Sequence, residues 1–265
     1  RCTIQMHGTG CTAHFFIVAV IAVGGIYRYR CFKMVADFLQ QLNQLHAVHT
    51  DNPVFSNAKE NYRKQVEAAS KYLTEEEGKM LEQVLEALPE GDRLVHCDAH
   101  PKNIMIQNGD MLWIDMEGMS VGHPIYDLIS IAVILNGIRT DEMTIGICGM
   151  DIQTVQKFKD CFIRKYFKTE DPQTIQKFGS ILDSLRLIRT VFAVGFTSKN
   201  TEAFRPAIIA MSREVFFPNI QNIIGGIKFL IKQSDNKLIM IRKLIIICMI
   251  ILSSSCKSDK DNRTI

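Results

Sequence analysis

Several features that would define a specialised class of protein are missing from this sequence of 265 residues. Its 31 basic and 28 acidic residues leave a net charge of +3 and form no basic stripe, so the charge pattern does not support nucleic-acid binding. Its 8 cysteines include no C-x-x-C pair, which argues against a zinc ribbon and favours reduced thiols in a cytoplasmic protein. No fixed-period repeat is present, which excludes solenoid architectures.

The N-terminal segment has no negatively charged side chain. Residues 1–32 contain no aspartate, glutamate or lysine, and residues 15–27 form one continuous apolar run. Because this run is shorter than the ~20 residues that a membrane helix requires, we expect a buried strand or core segment, and a truncated membrane anchor is the alternative.

Helical periodicity dominates the middle of the chain. From Lys33 onward, apolar residues recur at the spacing of one amphipathic helix, and His46 and His49 are expected to be hydrogen-bonded polar residues near its end. Thr74 and Glu77 form a T-x-x-E capping box, which predicts the start of a second helix. Further helices are predicted over residues 125–136, 151–167, 173–193 and 202–216.

The C-terminal end differs from the middle of the chain in composition. Residues 240–256 combine a basic start with an apolar core and end in serines and Cys256, as in a bacterial lipoprotein signal sequence. Such a signal functions only at the start of a chain, so we interpret it as two joined reading frames. The alternative is a hydrophobic C-terminal helix with a polar tail.

Residues 94–118 (LVHCDAHPKNIMIQNGDMLWIDMEG) concentrate the reactive side chains. Asn108 and Gly109, between two apolar runs, predict a two-residue hairpin turn. The register that this turn sets brings Asn103 opposite Ile114 and beside Asp115. Since an unbroken pleat would point these two polar side chains to opposite faces, the backbone must leave the ladder there for both to hold one ion. Magnesium suits such a pair of oxygen ligands.

His96, Asp98 and Asn103 fit the pattern H-x-D-x-x-x-x-N. In phosphoryl transfer to an alcohol, a carboxylate accepts the hydroxyl proton, while an amide and a second carboxylate hold metal ions that bridge the phosphates. This spacing indicates Asp98 as the base, with Asn103 and Asp115 as the metal ligands.

Three segments carry a family resemblance: HCDAHPKN at 96–103, IDME at 114–117 and GHPIYDL at 122–128. In this order and spacing they resemble the motifs of the aminoglycoside phosphotransferase and choline kinase-like family. The resemblance runs from about Lys33 to about Leu230. It implies the mainly helical C-terminal lobe of a protein-kinase-like fold, an α+β architecture with a catalytic β-hairpin. It also implies ATP- and Mg²⁺-dependent phosphorylation of a hydroxyl on a small-molecule alcohol.

The same resemblance implies roles for neighbouring residues. Asp127 would support the catalytic loop without reacting, and His96, His100 and Glu117 would be supporting residues. The chain departs from the family at Cys97, where glycine is common. We do not expect Cys97 to be a nucleophile, because no base is evident beside it except its neighbour His96.

The resemblance further implies a nucleotide lobe with a paired lysine and glutamate. Residues 1–36 cannot supply this pair, because no lysine precedes Lys33 and no carboxylate precedes Asp37. We therefore expect residues 1–32 to be a remnant of that lobe or an unrelated apolar segment, and residues 33–230 to be the kinase-like lobe. Residues 231–265 form the hydrophobic segment and polar tail. Whether this chain is active by itself is left open.

Two alternatives stay open at this point. One is a truncated, non-catalytic lobe that at most binds a ligand or partner. The other is a zinc-dependent hydrolase in which His96, Asp98 and His100, at positions i, i+2 and i+4, share one face of a strand. This second alternative leaves Asn103 and Asp115 unexplained. The sequence specifies neither the acceptor nor the oligomeric state.

Overall fold

The structure, a computed structural model, describes residues 26–100, 103–107, 110–137, 140, 142, 145, 151–196 and 199–233. Over these residues it is a mixed α and β fold that is mainly helical, as the sequence predicts. The apolar run at 15–27, apart from Ile26 and Tyr27, and the signal-like segment at 240–256 lie outside the described residues. None of the described helices is long and apolar enough to cross a bilayer.

Three helices form the N-terminal part: α1 (Ile26–Ala47), α2 (Ala58–Ser70) and α3 (Glu75–Ala87). Helix α1 begins at Ile26 and not at Lys33, so the end of the apolar run belongs to it. The predicted capping box is confirmed at the start of α3. There the Thr74 hydroxyl accepts the Glu77 N–H at 3.2 Å, and the Thr74 N–H donates to the Glu77 carboxylate at 2.8 Å.

The described residues include five short strands in two sheets, of which the first lies between α1 and α2 and the other four lie between α3 and the C-terminal half. Strand β5 (Ser120–Gly122) lies between β1 (Ser56–Asn57), which is parallel to it, and β2 (Arg93–Val95), which is antiparallel. Strands β3 (Ile104–Gln107) and β4 (Asp110–Trp113) form the predicted hairpin. Its register agrees with the one that the Asn-Gly turn predicts, with Ile104 opposite Trp113.

The C-terminal half is helical: α4 (Ile125–Gly137), α5 (Ile152–Phe167), α6 (Pro172–Phe192), α7 (Lys199–Met211) and α8 (residues 220–233). Helix α4 is buried along most of its length and packs mainly against α6. Helix α7 ends five residues before the predicted position 216, where a π-helical turn (Ser212–Phe216) takes over. A 3₁₀ turn (Phe217–Asn219) then leads into α8.

Helix α8 was not predicted from the sequence. Pro218 and Asn219 read as a turn in the sequence, and the adjacent Gly225 and Gly226 within the helix lower its intrinsic helix preference. Four of its apolar side chains nevertheless enter the core at a helical spacing: Ile220, Ile223, Ile227 and Leu230. Burial of this apolar face outweighs the unfavourable local sequence.

Candidate active site

The site is built on the loop between β2 and β3, and Asp127 holds the backbone of that loop. Asp127 lies in the first turn of α4 and is fully buried. Its carboxylate accepts the backbone N–H groups of His96 at 3.1 Å and Cys97 at 2.7 Å. It also accepts a hydrogen bond from His46 Nε2 of α1 at 2.8 Å. A buried carboxylate needs such partners, so these three contacts fix the loop to two helices.

His96 connects the loop to the hairpin. The side chain is fully buried, and its Nε2 donates to the Ile114 carbonyl at 3.1 Å. Its ring lies 4.9 Å from the ring of Trp113, centroid to centroid. Ile114 makes a second contact with the loop, because its N–H donates to the Asn103 carbonyl at 2.9 Å. The loop and the open end of the hairpin therefore form one unit.

Cys97 has a left-handed backbone conformation, with φ of 61°. Glycine adopts this region without strain, whereas other residues do so at a cost. Burial, with a further contribution from the Asp127 charge, raises the pKa of the Cys97 thiol to about 12. Since the thiolate is the nucleophilic form, this environment agrees with a structural cysteine.

Asp98 is surrounded by hydrogen-bond donors. Asn103 Nδ2 donates to both the Asp98 carbonyl at 3.0 Å and the carboxylate Oδ2 at 2.9 Å. His100 Nε2 lies 3.3 Å from the same Oδ2, and Arg189 Nη2 lies 2.5 Å from Oδ1. Burial opposes ionisation of Asp98, but the His100 hydrogen bond and the Arg189 charge outweigh it and hold the pKa well below its usual range.

Asp115 follows the last hairpin contact directly. Its backbone is left-handed (φ 58°, ψ 54°), so the chain leaves the ladder here, as a shared ion site with Asn103 requires. Its side chain is exposed, and no side chain or backbone group in the described part of the protein hydrogen-bonds to it. Asn103 directs its amide nitrogen at Asp98, and in the described ranges no group donates a hydrogen bond to its amide oxygen or to the Asp115 carboxylate.

The structure brings most of the predicted site residues together, although not all of them. Asp98, Asn103 and His100 are in direct contact, and Asp115 is the residue after Ile114, which is bonded to both His96 and Asn103. Glu117 lies exposed in the 3₁₀ turn Met116–Gly118 and contacts none of the other site residues in the described ranges.

Sequence reasoning missed two residues of this site. Arg189 of α6 contacts Asp98, and Ser130 of α4 donates its hydroxyl to the Cys97 carbonyl at 2.8 Å. A signal for Arg189 was present, because it is a charged residue adjacent to the core positions Ile188 and Val191 of α6. A charge in such a place usually has a specific partner.

The zinc-hydrolase alternative is not supported by this geometry. Strand β2 ends at Val95, so His96, Asp98 and His100 do not share a strand face as that alternative required. His96 is instead directed at the Ile114 carbonyl. Across the ranges that the structure describes, no group of three or more His, Cys, Asp or Glu side chains could hold a metal ion.

Comparisons with known proteins agree with the motifs. Residues 17–146 match the phosphotransferase enzyme family, and this range includes Asp98, Asn103, Asp115 and Asp127. The resemblance to the aminoglycoside phosphotransferase and choline kinase-like family is therefore confirmed.

Among solved structures, a choline/ethanolamine kinase family protein from Mesorhizobium loti matches with 16% sequence identity and a TM-score of 0.31. The match covers 75% of this chain and 59% of that chain, so it spans less than two thirds of the other protein. At this level it carries no conclusion about this chain. No curated protein matches the chain.

Proposed function

We propose that this protein transfers the γ-phosphoryl group of ATP to a hydroxyl of a small-molecule alcohol, with Asp98 as the proton acceptor. The observation that carries this proposal is the contact between Asn103 Nδ2 and Asp98 Oδ2 at 2.9 Å, on a loop whose backbone the buried Asp127 holds. The phosphotransferase family match over the same residues supports the reaction class. That the acceptor is a small-molecule alcohol and that the protein is cytoplasmic are predictions from the sequence.

The geometry of the Asp98 carboxylate leaves room for an alcohol to donate its proton. A carboxylate has about four lone-pair positions, and the contacts with Asn103, His100 and Arg189 use three of them. Among the described residues no further group occupies the remaining position, where an alcohol O–H could donate. As the alcohol oxygen forms a bond to the γ-phosphorus, the bond from that phosphorus to the bridging oxygen of the β-phosphate breaks. The alcohol proton passes to Asp98, and ADP leaves with the electron pair of the broken bond.

The oxygen atoms of Asn103 and Asp115 fit a magnesium ion. Two protein ligands are sufficient, since Mg²⁺ keeps several waters and binds phosphate oxygens in such sites. When bound, the ion would neutralise the charge of the phosphates during transfer. The amide hydrogen bond from Asn103 to Asp98 links this ligand directly to the base. One asparagine therefore sets the position of both groups.

An exposed apolar surface on the hairpin supports nucleotide binding. Met105 and Leu112 are cross-strand partners that are 44% and 40% exposed, and Ile114 follows Leu112 on the same strand face at 38% exposed. A flat heteroaromatic base is an occupant of suitable chemistry for such a surface. Its position next to Asn103 and Asp115 would place the phosphates of the same nucleotide toward the metal ligands.

The experiment measures ADP release and product phosphorylation by the purified chain with ATP, Mg²⁺ and a panel of alcohols. We expect turnover that Asp98→Asn abolishes, whereas Asp183→Asn, on the surface of α6, leaves it unchanged. A chain that binds no nucleotide at millimolar ATP would instead be the non-catalytic lobe. Stoichiometric zinc in the purified protein would support the zinc-dependent hydrolase and contradict the proposed function.

A further inference from the structure

We propose that Arg189 is a positioning residue that fixes the orientation of the Asp98 carboxylate for proton transfer. The inference rests on the proposed function of Asp98. Arg189 belongs to the last turn of α6 and reaches back to a loop that lies about 90 residues earlier in the chain. No motif around Asp98 includes it.

The guanidinium of Arg189 contacts both a side chain and a backbone carbonyl of the loop. Its Nη2 lies 2.5 Å from Asp98 Oδ1, while its Nη1 donates to the Cys97 carbonyl at 2.9 Å and to Ser130 Oγ at 2.5 Å. The planar guanidinium holds its nitrogens in a fixed geometry. It therefore fixes the carboxylate relative to the backbone that precedes it.

Asp98 needs this contact because its own side-chain torsion does not define the orientation. The χ2 torsion of aspartate is broad, so the plane of the carboxylate is set by its partners. Asn103 and His100 both contact Oδ2, and among the described residues Arg189 is the partner of Oδ1. Without Arg189, rotation about χ2 would move Oδ1 and the open lone-pair position with it.

The same contact contributes little to folding. The side chains of Asp98 and Arg189 are each 31% exposed, and ion pairs with access to solvent stabilise proteins only weakly. Helix α6 is held by buried apolar residues on either side of Arg189, including Leu185, Ile188 and Phe192. Loss of the guanidinium should therefore disturb the orientation of Asp98 much more than the stability of the fold.

The test is steady-state kinetics of the full chain with ATP, Mg²⁺ and an accepted alcohol. Arg189→Ala should lower kcat about 100-fold, as expected for a misplaced catalytic group, and change the KM values by less than about threefold. Added guanidinium should recover part of the lost kcat. The kcat of Arg189→Lys should lie between those of the wild type and Arg189→Ala, because an ammonium cannot make both contacts at once.

Arg186→Ala is the matched control. Arg186 lies about one turn earlier on α6 and pairs with Asp183 of the same helix. Arg186→Ala should have the kcat of the wild type and, like the wild type, should not gain activity from added guanidinium. Urea unfolding of both variants gives the stability comparison.

The outcomes separate the two claims. If the wild type turns over, Asp98→Asn abolishes turnover and Arg189→Ala retains it, the inference about Arg189 is wrong and the proposed function stands. If Arg189→Ala lowers kcat but also lowers the free energy of unfolding by a comparable amount, and guanidinium does not rescue kcat, the inference about Arg189 is also wrong. No turnover by the wild type overturns the proposed function, and this inference with it.

Discussion

The two sides of the candidate site differ in how firmly the fold holds them. The loop with Asp98 is bonded to α1, α4, α6 and the hairpin through Asp127, Arg189 and His96. The turn with Asp115 has an exposed carboxylate to which no group in the described ranges donates a hydrogen bond. The orientation of the proton acceptor is therefore built into the fold, whereas the position of the metal ligand depends on few protein contacts.

The loop and the turn should therefore respond differently to substitution. Substitutions that release the loop should reduce both the stability of the protein and its turnover. Substitutions in the turn at Asp115 should reduce turnover alone.

The largest expected effect is that of Asp127→Ala. This change leaves two backbone N–H groups and the buried His46 without their acceptor. Loss of one partner from such a buried group destabilises by about 3–5 kcal/mol. Urea unfolding should show this decrease in the free energy of unfolding, with loss of turnover. A decrease below about 1 kcal/mol would contradict the assignment of Asp127 as the main support of the loop.

Asp115→Asn should have the opposite profile. Because the carboxylate is exposed and has no hydrogen-bond donor in the described part of the chain, the free energy of unfolding should stay within about 0.5 kcal/mol of the wild type. Mg²⁺-dependent turnover should fall by about 100-fold, since the charge that binds the ion is removed. The control is Asp160→Asn, an exposed carboxylate on α5. Full turnover in Asp115→Asn would remove this residue from the site.

Cys97 offers a smaller test of strain on the firmly held side. Cys97→Gly and Cys97→Ala both remove the thiol, but only glycine adopts φ of 61° without strain. The glycine variant should therefore be more stable than the alanine variant by about 1 kcal/mol in urea unfolding.

The same pair of substitutions at Cys161, inside α5, is the matched control. There the order should reverse by about the same amount, because glycine is unfavourable within a helix. If both positions gave the same order, the left-handed conformation of Cys97 would not be the cause.

The parts of the site that the sequence predicted are those determined by local spacing. The Asn-Gly pair in the sequence predicted the register that β3 and β4 have, and the H-x-D-x-x-x-x-N pattern placed Asp98 and Asn103 in one loop, where they are in contact. The capping box at Thr74 was likewise a local signal. In each case the interacting residues are separated by only a few positions along the chain.

The contacts that the sequence did not reveal are long-range. His46 and Arg189 reach the loop from helices that lie about 50 residues before it and 90 residues after it. Helical periodicity identified these helices but not which polar side chain would face the site. Helix α8 was missed for a related reason, since its stability comes from packing against the core and not from its own sequence.

The smallest predicted effect is that of a substitution outside the site, which shows what a loss of stability alone does to turnover. Glu77, at the start of α3, accepts hydrogen bonds from Arg213 at 2.6 and 3.1 Å and from the Thr74 N–H. The Arg213 hydrogen bond lowers the pKa of Glu77 to about 2. Since this pKa is lower in the folded state, the stabilisation is present above the ordinary pKa of 4.5 and is lost as the pH falls toward 2.

Glu77→Gln keeps a side-chain acceptor for the Thr74 N–H and removes only the charge. In urea unfolding at pH 7 it should be less stable than the wild type by about 0.5–1 kcal/mol, because Arg213 is exposed to solvent. This difference should vanish near pH 2, and Glu82→Gln, at an exposed position of α3, should show no difference at either pH. Turnover should be unchanged. A fall in turnover with Glu77→Gln as large as that with Asp127→Ala would mean that stability, and not the orientation of the loop, limits activity.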